Sequence, residues 1–146
     1  LGLAAAGIGC RQQAGVLGVL LILLAHLCAG PLLLNPPRPG LERAHRLAWL
    51  ALSGLPPSVS FWGRLLILEG LVATSGPALV VALAAGAAML VAAMRGVVHP
   101  EESTEGPAVE PALQALGWAL AVAAIALGFA PAWAAGHLFG VDLGAG

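Results

Sequence analysis

With 146 residues, 60% of them hydrophobic and 9% charged, and a mean hydropathy of +0.95, the chain is not an ordinary soluble domain, which would carry about 25% charged residues. Six basic and seven acidic residues leave a net charge of -1, so there is no electrostatic footprint for nucleic acid. All the basic residues are arginine, which excludes lysine chemistry, and Cys10 and Cys28 form neither a disulfide framework nor a zinc-binding spacing.

Apolar runs count the membrane crossings, because a helix needs roughly 20 residues to cross a hydrocarbon core of about 30 Å. Residues 1–9 are apolar but too short to span, and they read as the end of a helix that begins elsewhere. They are not a signal peptide, since the first charge, Arg11, follows them. The first full run is 14–34. The second, 47–73, is interrupted by Pro56-Pro57 and by Arg64, which predicts two half-helices within one crossing. Thr74-Ser75-Gly76 makes a turn, and Pro77 suits the first turn of a third span over 77–94. A fourth run covers 112–133. The expected fold class is an all-α integral membrane protein, a single membrane domain over 1–146 with about four transmembrane helices, an N-terminal helix stub and one helix broken at Pro56-Pro57.

Two polar connections separate these runs. Residues 35–46 are rich in Pro and Arg, and residues 95–111 hold Glu101, Glu102, Glu105 and Glu110, a cluster that reads as solvated. With alternating spans, both connections share a face carrying Arg38, Arg43, Arg46 and Arg95, against Arg11 alone on the other. The positive-inside rule therefore puts them on the cytoplasmic or matrix side.

Three features within the spans carry candidate chemistry. His26 lies near the middle of the first run, where an ionisable side chain is a functional candidate. It reads either as a proton relay or as a neutral histidine hydrogen-bonded to a neighbouring helix. The Pro56-Pro57 break frees backbone groups that protein or a water-filled cavity must satisfy, so it reads as part of an ion path or as a packing kink. Arg64 is permanently protonated and sets electrostatics without passing a proton on, which calls for a counter-charge. Glu69, five residues on, sits roughly 140° around an ideal helix and does not stack on Arg64, so it reads either as part of the path or as a side chain reaching the interface.

The segment Gly54-Leu55-Pro56-Pro57-Ser58-Val59-Ser60-Phe61-Trp62-Gly63-Arg64-Leu65-Leu66-Ile67-Leu68 resembles the broken-helix motif of the antiporter-like membrane subunits of respiratory complex I. That pattern is shared with Mrp-type cation/proton antiporters and membrane-bound hydrogenases. Leu24-Ala25-His26-Leu27, followed sixteen residues after the histidine by Glu42-Arg43-Ala44-His45, is similar to the Ala-His-Gly-Leu and Glu-Arg-Thr-His pair of the chain 4 branch of NADH dehydrogenase (ubiquinone). The likeness covers most of the chain and corresponds to that family's C-terminal part, from the end of its tenth transmembrane helix to its fourteenth.

The resemblance implies proton translocation across a coupling membrane, the mitochondrial inner membrane or alternatively a bacterial inner membrane, driven by electron transfer from NADH to quinone elsewhere in the complex. It implies no cofactor and no redox chemistry in this chain. Its partners would be a chain carrying the N-terminal half of the subunit, other membrane-arm subunits and membrane lipids. His26 would be the relay histidine, and Arg64 would stand at the broken helix's key ionisable position, with Glu69 contributing to the path or its electrostatics. The chain departs from the pattern at Arg64, where chain 4 has a glutamate and its sister subunits a lysine. The connection from Glu42 to Pro56 is also shorter than the family's by about twenty residues. Two classes of function follow: a working half of a proton-translocating subunit, or a degenerate structural subunit whose path Arg64 plugs.

Overall fold

In the computed structural model, residues 2–9, 13–34, 38–98 and 109–130 are described, and every element among them is a helix. Helix α1 covers Gly2–Gly9, α2 Gln13–Leu33, α3 Glu42–Ser53, α4 Val59–Thr74, α5 Gly76–Val98 and α6 Pro111–Phe129. Three of these, α2, α5 and α6, are long and apolar enough to cross a membrane, which makes the chain a multi-pass membrane protein. At 1.5 Å per residue the 21 residues of α2 extend about 31 Å, matching a hydrocarbon core of about 30 Å.

Four crossings were expected, and three helices qualify. The run over 47–73 is divided between α3 and α4, of 12 and 16 residues, and neither is long enough alone. The break falls at the prolines, as the sequence predicts. Helix α3 starts earlier than the apolar run, at Glu42, because Ala44, His45, Ala48, Ala51 and Leu52 already form a buried stripe at helical spacing while Arg43 and Arg46 stay exposed. Half of the expected polar connection is thus the first turns of an amphipathic helix. Its start is held by Glu42, whose carboxylate accepts the Gly40 N–H at 3.0 Å. Expectations resting on Cys10, Arg11, Glu101, Glu102 and Glu105, and the last turn of the fourth run to Trp133, lie outside the described residues.

The two half-helices run in succession down α2, in the opposite direction to it. His45 of α3 reaches the carbonyl of Leu32 near the end of α2, and Gly63 of α4 meets Gly18 near its start. Two buried clusters follow this course: Leu21, Ala25, Ala51 and Val59 around the break, and Val19, Ile22, Ile67 and Leu71 beyond it. In lipid such clusters gain little from excluding water, so close packing carries the association. The α2–α4 crossing shows this. A Cβ on Gly18 would lie 2.5 Å from the Gly63 carbonyl oxygen, and one on Gly63 would lie 2.7 Å from that of Gly18. The backbones touch because neither residue has a side chain.

Helix α4 turns into α5 through Ser75, whose N–H donates to the Leu71 carbonyl while its own carbonyl accepts from Leu79. Helix α5 then returns along α4 and α3, from Ala82 beside Ile67 and Leu71 to Gly96 beneath the indole of Trp49. Most of its surface is left uncovered by the rest of the chain. Helix α6 starts against the α2–α3 connection, where Gln114 donates to the Gly40 carbonyl at 3.1 Å, and ends at the break, with Gly128 pressed on the carbonyl of Pro57.

Candidate functional site: the broken helix and its arginine

Proline lacks an N–H, so a Pro-Pro pair in a helix orphans the carbonyls four residues earlier. For Pro56 and Pro57 these belong to Leu52 and Ser53. Both are taken by one side chain. Arg64, a turn and a half into α4, donates from Nη2 to the Leu52 oxygen and from Nη1 to the Ser53 oxygen, each at 2.6 Å. The planar fork of the guanidinium matches two neighbouring acceptors, a geometry that a lysine ammonium does not offer.

Two further backbone groups at the break are taken by serines. The Leu55 N–H, which would continue the helix to Ala51, instead donates to Ser53 Oγ at 3.2 Å. The Ala51 carbonyl accepts from Ser60 Oγ. Since a hydroxyl has one hydrogen, the 3.1 Å contact between Ser58 Oγ and Ser60 Oγ is donated by Ser58, giving a chain from Ser58 through Ser60 to Ala51. Ser53, Ser58 and Ser60 are buried, and no buried side-chain polar atom among the described residues lacks a partner. On the far side of α4, Trp62 donates from Nε1 to the Gly128 carbonyl at 2.7 Å, satisfying an end of α6.

Electrostatically, the C-terminus of α3 presents the negative end of its dipole to the guanidinium, a favourable term of about 0.3–1 kcal/mol that rises in partly buried geometries. Among the described residues the partner of Arg64 is therefore a helix end, and no carboxylate pairs with it. Glu69 lies on the exposed side of α4 and makes no contact with Arg64. Gly54 completes the arrangement in the left-handed region at φ 76°, with the guanidinium lying over its Cα where a side chain would stand.

His26 sits apart from this cluster. It is half-buried, and its Nδ1 donates to the carbonyl of Ile22, one turn back on its own helix, at 2.8 Å. Among the described residues it makes no bond to a neighbouring helix, the bond that a purely structural histidine would make. Nε2 is left as the acceptor and has no partner among the described residues. The other histidine of the sequence pattern, His45, is fully engaged: Nδ1 donates to the Leu32 carbonyl at 2.9 Å, and Nε2 accepts from Trp49 Nε1 at 3.2 Å.

The structure thus brings Arg64 and the Pro56-Pro57 break together and leaves His26 and Glu69 outside that cluster. Ser53, Ser58, Ser60 and Gly54 join it unforeseen, although counting four back from each proline would have pointed to the carbonyls they surround. Among the described residues no group of three or more His, Cys, Asp or Glu side chains could hold a metal ion. No protein family, curated protein or solved structure matches the chain.

Proposed function

We propose that this chain is the C-terminal part of an antiporter-like, proton-translocating membrane subunit of a respiratory NADH:quinone oxidoreductase, working beside a chain that carries the N-terminal half and other membrane-arm subunits. The observation that carries the reading is the α3–α4 pair, two half-helices in succession against α2 with an ionisable side chain fastened across the break. In this reading the pair is a fourth, discontinuous crossing, and the Arg38, Arg43, Arg46 and Arg95 face is on the matrix or cytoplasmic side.

Arg64 acts here as a fixed positive charge. With two N–H groups committed to carbonyls and no accessible neutral form, it holds the break closed and shapes the potential along the path without carrying a proton. The proton moves at His26, where Nδ1 is tied down and Nε2 is the exchanging atom. The same bonds of Arg64 favour a second reading, in which the chain keeps the architecture of the membrane arm and the arginine plugs its path. An Mrp-type antiporter or membrane-bound hydrogenase subunit would use the same parts.

Proton yield per NADH oxidised, measured in the reconstituted parent complex, separates the two. His26→Ala lowers the yield with assembly intact if His26 is the relay. Unchanged yield in that variant, with assembly lost when Pro56-Pro57 is replaced, assigns the chain a structural role.

A further inference from the structure

A cleft of about 240 Å³ lies between α4 and α5 and ends at the break. Its walls are Leu65, Leu68, Leu83 and Leu90, with Arg64 as the charged group at its Ser53–Gly54 end. Leu65 and Leu83 are both about half exposed, so the cleft opens sideways from the helix pair. Gly86 of α5 lines it, and a Cβ there would meet nothing within 4 Å.

We infer that this cleft binds one acyl chain with a carboxylate head, the head on Arg64 and the chain along the leucines. A guanidinium has five N–H donors, and the two bonds of Arg64 use two of them on neutral carbonyls. No carboxylate among the described residues pairs with it. A permanent cation within apolar surroundings is strongly favoured by an anion that can take the remaining donors, and a carboxylate matches the guanidinium fork. Shape then selects the rest of the ligand. From Ala82 to Leu90 the cleft follows α5 for about 12 Å at 1.5 Å per residue, which suits an extended hydrocarbon chain. At about 240 Å³ it is too small for a second helix, whose diameter is about 10 Å.

The test is photolabelling of the protein in phosphatidylcholine nanodiscs with a diazirine-bearing hexadecanoic acid, mapped by peptide mass spectrometry. Saturable adducts on α4 and α5 are expected, and palmitate should compete about tenfold better than methyl palmitate, the worth of one charge-assisted contact. Gly86→Leu fills the cleft in open space without touching the carbonyl bonds of Arg64, and it should remove most of the labelling. Equal competition by the methyl ester, or labelling unchanged in Gly86→Leu, overturns the proposal. So does a lack of saturable labelling in the unaltered protein. None of these outcomes depends on proton yield, so the site and the transport reading fail separately.

Discussion

The guanidinium of Arg64 lies over the Cα of Gly54, filling the place where a side chain at that residue would project. Gly54 is required twice, once for its left-handed backbone at φ 76° and once for this contact. Gly54→Ala is expected to cost about 1–2 kcal/mol for the backbone alone, with more lost as the arginine is pushed from its carbonyls. Gly86→Ala is the control, since its Cβ enters open space and the helix gains a better former there. Denaturant unfolding in micelles should separate the two variants clearly, and equal stabilities would disprove the dual role of Gly54.

The Gly18–Gly63 crossing makes a second prediction. Each added Cβ meets backbone of the other helix, which cannot swing aside as a flexible side chain would. Gly18→Ala and Gly63→Ala should each force α2 and α4 apart and destabilise by about 1–3 kcal/mol, the usual cost of overpacking. Gly30→Ala, on the same helix as Gly18 but with nothing within 4 Å, should be neutral or better. Thermal unfolding in one detergent is sufficient, and a Gly18→Ala variant as stable as Gly30→Ala would refute the close approach.

How much of this was readable in advance differs by residue. The prolines announce the break, and the 100° advance per residue of a helix correctly separates Arg64 from Glu69. The two carbonyls on Arg64 were not legible in the same way, because a reading of the arginine as a point charge looks only for a carboxylate, whereas the guanidinium is a fork that also takes neighbouring carbonyls. Arg43 and Arg46 read as loop because they are charged, yet they are the outer face of α3, and only the 3–4 spacing of Ala44, His45 and Ala48 reveals it. For His26, a bond to the Ile22 carbonyl is always within reach of a helical histidine. Sequence cannot say whether the ring takes it or turns to a neighbour, because that depends on what packs beside α2.

His45 joins α2 to α3 and should behave as a structural residue. His45→Phe keeps an aromatic ring but leaves the Leu32 carbonyl and the Trp49 N–H without their partners. A loss of about 1–3 kcal/mol is expected for the stranded groups, with Trp49→Phe milder because it removes only one donor. If the chain works in the proposed complex, the His45→Phe variant should lower abundance while leaving the proton yield of the assembled complex unchanged. Normal abundance with lowered yield would instead make His45 a transport residue.

The sharpest prediction concerns the prolines themselves. Arg64 matters to folding, on this account, because Pro56 and Pro57 deny N–H groups to Leu52 and Ser53. Arg64→Leu should then strand two carbonyls at about 1–3 kcal/mol each, while Arg64→Lys, with one nitrogen for two acceptors, should lose about half as much. Replacing both prolines by alanine restores two backbone donors, and a helix running through the break could satisfy the carbonyls without the arginine. In that background Arg64→Leu should be nearly neutral. A double-mutant cycle measured by unfolding in micelles gives the coupling directly, and it should reach about 2 kcal/mol or more if the three residues form one unit. A coupling near zero would mean that Arg64 stabilises the fold through some other contact, and that the correspondence between the prolines and their orphaned carbonyls has no energetic weight.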